Sequence, residues 1–187
     1  MSIDDPAGKF NGKELEYISE FLDSECKKSD LSWVQRFEEQ VSNKVGAKFA
    51  VACNSGTSAL HMAMFAANIQ PNDEVIIPAL TVVMDAYSVI HCGGKPVFAD
   101  IDKYTYGIDL EDIKRKITNK TKAIITVSLQ GLSVDMDPIL KLAEQHNLIV
   151  IDDSAQNIMG RYRDRLAGNL GHINIFSFEN KKHITAG

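Results

Sequence analysis

Two apolar runs in the second half of the chain stop at groups that can do chemistry. Leu148-Ile149-Val150-Ile151 ends at Asp152-Asp153-Ser154-Ala155-Gln156. The run Ile173-Asn174-Ile175-Phe176-Ser177-Phe178 leads through Glu179-Asn180 into Lys181-Lys182-His183. One end offers paired carboxylates and an amide, the other a hydroxyl and two amines. A carboxylate at a strand end can hold a cationic ring nitrogen, or it can face water or cap a helix. A lysine kept near a bound phosphate and such a carboxylate can have a lowered pKa and attack a carbonyl. The residue types leave open which carboxylate and which amine would act. Gln156 could bond a ligand oxygen or face solvent.

A third stretch, Asn54-Ser55-Gly56-Thr57-Ser58, lies where an extended segment turns into a helix. Free N–H groups and partial positive charge at a helix N-terminus suit a phosphate, and a glycine there lets the backbone approach an anion closely. Ser and Thr are also ordinary N-caps, so a purely structural turn is the competing reading. Ser177 alternates with two phenylalanines and points away from them. If buried, its hydroxyl needs a partner, and a phosphate would serve. The five histidines show no metal-ligand spacing, and Cys26, Cys53 and Cys92 form no CxxC pair. No metal site is expected, and the thiols read as reduced, buried and cytosolic.

The elements that must position these groups follow from the pattern. Residues 1–12, broken by Pro6, Gly8 and Gly12, read as an arm. Leu15, Ile18, Phe21 and Leu22 predict an amphipathic helix over Lys13–Cys26, and Val34, Phe37, Val41 and Val45 a second one after Ser29-Asp30, ended by Gly46. Strands are predicted at 49–52, 74–77, 96–99, 123–127, 148–151 and 173–178. Helices are predicted at 58–67, 82–91, 110–117 and 136–145. This alternation implies an α/β fold with a mostly parallel sheet covered by helices on both faces. In such sheets ligands sit at the carboxyl ends of strands, where both reactive clusters fall.

The 187 residues suit one domain, and 44% hydrophobic with 24% charged residues is ordinary for a globular protein. A net charge of -5 argues against a general nucleic-acid binder. No apolar run reaches membrane-span length, and no signal peptide is visible at Met1-Ser2-Ile3-Asp4-Asp5, so a cytoplasmic location is expected. Thr185-Ala186-Gly187 follows the last reactive group at once. A strand of an α/β sheet normally returns through a further element, so the chain reads as a piece of a longer protein.

Taken in order, the motifs resemble the DegT/DnrJ/StrS family of pyridoxal-phosphate-dependent sugar aminotransferases. They are Arg36-Phe37-Glu38, Asn54-Ser55-Gly56-Thr57-Ser58-Ala59-Leu60-His61, Asn72-Asp73-Glu74-Val75-Ile76-Ile77-Pro78, Pro96-Val97-Phe98-Ala99-Asp100-Ile101-Asp102, Asp135-Met136-Asp137-Pro138, Asp152-Asp153-Ser154-Ala155-Gln156, and Phe176-Ser177-Phe178 followed by Lys182. The resemblance implies the large domain of the aspartate-aminotransferase fold (fold type I) over residues 31–187, after an arm and helix at 1–30. A C-terminal small domain lies outside this chain. It implies Lys182 as the Schiff-base lysine, Asp153 as partner of the pyridine nitrogen, Gln156 near the ring hydroxyl, and Gly56, Thr57 and Ser177 as phosphate contacts. The implied cofactor is pyridoxal 5′-phosphate. The implied reaction moves an amino group, with glutamate the implied donor, to a nucleotide-linked keto-deoxysugar in cell-surface polysaccharide or other amino-sugar biosynthesis, in a homodimer.

Two departures stand out. The family aromatic that stacks on the cofactor ring is missing near Val82, and a histidine-containing stretch is replaced by Ser128-Leu129-Gln130-Gly131. Two alternatives accompany the main expectation. One is a dehydratase of the same family, which uses histidine at the lysine position, with His183 next door. The other is a non-catalytic truncated homologue that binds a partner.

Overall fold

Val75-Ile76-Ile77, Ala123-Ile124-Ile125 and Val150-Ile151 are apolar at consecutive positions. Successive strand residues point to opposite faces, so strands of this kind need cover on both sides. The computed structural model, which describes residues 13–24 and 32–186, has that arrangement. Helices α1 (Glu14–Ser24) and α2 (Ser32–Val45) lead to α3 (Gly56–Ala66). Strands and helices then alternate through β1 (Glu74–Pro78), α4 (Val83–His91), β2 (Lys95–Ala99), α5 (Leu110–Lys116), β3 (Thr121–Val127), α6 (Met136–His146) and β4 (Ile149–Asp153). A short hairpin, β5 (Arg161–Tyr162) and β6 (Arg165–Leu166), precedes β7 (Ile173–Ile175).

Five strands form one parallel sheet in the order β2-β1-β3-β4-β7. Alternation along each strand divides the core. Ile76, Ile124 and Val150 face Ile113 of α5 and Met136, Ile139 and Ala143 of α6. Val75, Ile77, Ile125 and Ile151 face Leu60, Ala63 and Met64 of α3 and Ala86 and Val89 of α4. These strand side chains are fully buried, and each contributes about 1.5–3 kcal/mol by leaving water. The chain steps outward from β1 to β2, then crosses back to β3. The order reverses there, and a crevice opens at the carboxyl ends of the strands. No helix among the described residues is long and apolar enough to cross a membrane.

Several expectations change against the structure. Residues 49–52 are not a strand. Phe49 and Val51 are exposed, and the Ala52 N–H is satisfied by Glu38 Oε1 at 2.7 Å instead of by a neighbouring strand. The last strand stops at Ile175, not Phe178, because its partner β4 ends at Asp153, which pairs with Ile175. The β5–β6 hairpin was not expected; its strands are two residues each, too short to show a period. Cys53 is exposed and Cys92 half-buried, so the thiols are not all buried. The expected arm, Cys26 and Ser29-Asp30 lie outside the described residues.

Candidate functional site

Asp153 is the last residue of β4 and is 3% exposed. Its Oδ1 accepts a hydrogen bond from the Ala155 N–H at 2.9 Å. Its neighbour Asp152 is fully buried on the opposite face, as strand alternation demands. There it accepts from Thr126 Oγ1 at 2.9 Å and Ser154 Oγ at 2.6 Å. Only Asp153 lines the cavity at the carboxyl ends of the strands.

That cavity has a volume of about 1100 Å³. Helix α3 points its N-terminus into it. Ser55 is the N-cap, its Oγ accepting from the Ser58 N–H at 3.1 Å, and Gly56 and Thr57 form the first turn. N–H groups in a first turn have no acceptor within the helix, so they are open to an anion. Ser177, just past β7, packs against this turn. A Cβ built on Gly56 would lie 3.1 Å from Ser177 Cβ and 3.4 Å from its Oγ. The glycine therefore lets the turn and the hydroxyl come together.

Lys182 is half-buried and lines the same cavity, whereas Lys181 is exposed and outside it. A turn closed by Lys182 N–H to Glu179 O, 2.9 Å, carries it. Val82, the N-cap position of α4, and Met84 add an aliphatic wall. Gln156 is not in the lining. Its Oε1 accepts from the Gln130 N–H at 3.0 Å and holds Gln130 at φ 56 in the turn Leu129–Gly131.

Electrostatics separate the acids. Burial raises the pKa of Asp153, and this is opposed by the Ala155 N–H, the positive charge of Lys182 and hydrogen bonding from Asp85. Burial raises Asp152 to about 6, with the Ser154 and Thr126 hydroxyls pulling it back. Asp85, in the first turn of α4, did not emerge from sequence reading. It is fully buried, and burial followed by the nearby Asp153 charge raises it to about 7. A signal was present. Asp85 shares a helix face with Val89, four residues on, which is fully buried.

The cavity thus combines a candidate anion cradle (Gly56, Thr57, Ser177), a buried carboxylate (Asp153) and an amine (Lys182). No group of three or more His, Cys, Asp or Glu among the described residues could hold a metal. The charges of the set would suit a ligand with a phosphate at one end and a cationic nitrogen at the other, and its amine could attack a carbonyl.

Known proteins carry the same architecture. GDP-perosamine synthase from Caulobacter vibrioides is 42% identical over 181 residues, covering 97% of this chain and 49% of that protein. An aminotransferase from Psychrobacter cryohalolentis, solved by X-ray crystallography, superposes with a TM-score of 0.89 at 37% identity, covering 95% of this chain and 45% of that one. NtdA from Bacillus subtilis, solved with bound cofactor PMP, superposes with a TM-score of 0.84 at 30% identity, covering 95% of this chain and 40% of that one. The chain spans about half the length of the curated relatives it matches. With a family model matching residues 9–187, the chain belongs to the DegT/DnrJ/EryC1/StrS aminotransferase family.

Proposed function

We propose that residues 31–187 form the cofactor-binding large domain of a pyridoxal-phosphate-dependent sugar aminotransferase. The reaction would transfer an amino group from an amino acid, by family resemblance glutamate, to a nucleotide-linked keto-deoxysugar. The kinship with a GDP-perosamine synthase supports a nucleotide-linked sugar of that class, within amino-sugar or cell-surface polysaccharide biosynthesis. We also propose that the whole protein works as a cytoplasmic homodimer. The observation that carries the reading is the convergence of Gly56, Thr57, Ser177, Asp153 and Lys182 on one cavity.

Each group has a task that its surroundings support. The α3 N-terminus and Ser177 would hold the phosphate. Asp153, buried yet facing Lys182, would hold the protonated ring nitrogen and stabilise positive charge there. Lys182 would hold the cofactor covalently and, once freed, carry a proton to and from the donor's Cα. Val82 would cover the ring with an aliphatic surface in place of an aromatic one. Gln156, its Oε1 held by the Gln130 N–H, has its amide nitrogen as the group to offer the ring hydroxyl. The bound cofactor supplies the electron sink that makes the Cα–H bond breakable. The dehydratase alternative gains no support, since His183 is exposed and outside the cavity lining.

The test is to purify the full-length protein and record visible absorbance from lysine-bound pyridoxal phosphate, then transamination of a nucleotide keto-sugar. Lys182→Ala should abolish both. Retention of both would refute the assignment.

A further inference from the structure

Asp85 is a buried acid for which the proposed reaction has no use. It lies between Val82 and Met84, which line the cavity, and Val89, which is in the core. Its surroundings specify what it can do. Thr81 Oγ1 donates a hydrogen bond to Asp85 Oδ2, and the Ser88 hydroxyl donates to the Asp85 backbone carbonyl at 2.8 Å. Asp85 Oδ1 is buried with no hydrogen-bond partner among the described residues. The Asp153 carboxyl is close enough to act on the Asp85 carboxyl electrostatically.

Two adjacent buried carboxylates cannot both ionise without strong repulsion. One must keep its proton, and a buried acid O–H needs an acceptor. Asp153 has reasons to be the charged member: the Ala155 N–H and the Lys182 ammonium favour its anion. Asp85 has one hydroxyl donor and faces the Asp153 charge. With Oδ2 occupied by Thr81, Oδ1 is the oxygen left to carry the proton.

We propose that Asp85 is a positioning residue: its neutral carboxyl donates a hydrogen bond to the Asp153 carboxylate, fixing that carboxylate and keeping it ionised. The pair then holds one proton and one negative charge. Its value to the site rests on the reading of Asp153 as partner of a cationic ring nitrogen. Asp85 would stop Asp153 from taking that proton for itself. The titratable groups that bear on the pair are Asp153 from β4 and, through Asp153, Lys182 beyond β7.

The test is a pH titration of the aspartate carboxyl carbons by 13C NMR, on the full chain without cofactor, in wild type, Asp85→Asn and Asp85→Leu. In wild type the Asp85 carboxyl should keep its proton until about pH 7, above the titration of Asp152 near 6, which the Asp85 variants leave in place. Asp85→Asn keeps the shape and an N–H donor, so it should erase the Asp85 titration and leave Asp153 ionised. Asp85→Leu removes the donor, so Asp153 should take up a proton at higher pH than in wild type. Titration of Asp85 near the ordinary value of about 4 would overturn the proposal. So would an Asp153 titration indifferent to Asp85→Leu. If Asp85→Leu does not fold, wild type and Asp85→Asn still decide. Pyridoxal phosphate affinity, measured separately, should fall about tenfold in Asp85→Leu, the loss of one hydrogen bond to a charged group, and recover in Asp85→Asn. An intact carboxyl pair with unchanged affinity in both variants would support the pair and instead reject the role given to Asp153.

Discussion

Gly56→Ala separates the anion cradle from the fold that carries it. The backbone at Gly56 is not left-handed, so alanine can adopt it. Alanine in a helix also reduces unfolded-chain entropy, worth about 0.4–1 kcal/mol. Against this, the new Cβ would sit 3.1 Å from Ser177 Cβ and 3.4 Å from Ser177 Oγ, and 3.7 Å from the Phe176 carbonyl oxygen. Relief requires Ser177 to move back by a few tenths of an ångström. Overpacking of this kind costs about 1–3 kcal/mol, and the lower end applies because one small side chain yields. The two effects nearly cancel, so the urea midpoint should change little. The cradle fares worse. Displacing the Ser177 hydroxyl would weaken the hydrogen bond proposed for it to a phosphate, and since such a bond to a charged group is worth about 1.5–3 kcal/mol, affinity should fall by up to about tenfold. The assay is a spectroscopic titration with pyridoxal phosphate and, in parallel, pyridoxal, which lacks the phosphate. Pyridoxal phosphate should weaken and pyridoxal should not. Equal weakening of both, or none in either with the fold intact, would refute the assignment of this turn to a phosphate.

Other perturbations probe the scaffold and the ring face. Gly168 has φ +92, and a Cβ there would meet the Phe176 ring, so Gly168→Ala should lower stability by about 3 kcal/mol in chemical denaturation. Asp112 is held at a pKa of about 2, first by hydrogen bonding to Lys116, then by the Asp100 N–H. A folded value below the unfolded one gives stability that is present above about pH 4 and lost as pH falls toward 2. Asp112→Asn should flatten the acid limb of a stability–pH curve in that window and cost about 1–3 kcal/mol at neutral pH. Val82 lines the cavity, and an aromatic in its place should stack on the ring, so Val82→Phe should tighten pyridoxal phosphate by about three- to tenfold. Unchanged or weaker binding would remove Val82 from the ring face.

The buried sheet was legible because its strands are apolar on both faces, a pattern that helix-covered parallel strands require. Ile76 and Ile77 are both fully buried, under different helices. The failures came where pairing, not composition, decides. Residues 49–52 have strand-forming types but meet no strand, and the run at 173–178 outlasts its partner by three residues. Period-two alternation says that Asp152 and Asp153 face opposite ways, but not which of them faces the crevice. That depends on Thr126 and Ser154 standing ready to satisfy Asp152, one of them on another strand. Asp85 was hidden because a single acid in the first turn of a helix reads as a favourable charge at the N-terminus. Its burial is a tertiary fact.

Three buried acids near one crevice thus have three different fates. Asp152 is satisfied by two hydroxyls and faces away from the cavity. Asp85, raised to about 7, is mostly neutral below that pH. Asp153 alone both lines the cavity and has a cation and an N–H favouring its charge. Of the three, the crevice therefore presents only Asp153, with Lys182 and the α3 N-terminus as sources of positive potential and Glu38, Lys48 and Glu179 also in the lining. An anion seated against Asp153 would be repelled, and a cation seated on the α3 turn would meet the positive end of the helix. The ligand that satisfies the layout is anionic where it meets Gly56 and Thr57 and cationic where it meets Asp153. Reversing it end for end would cost both contacts at once, so charge as well as shape would fix the direction in which such a ligand lies.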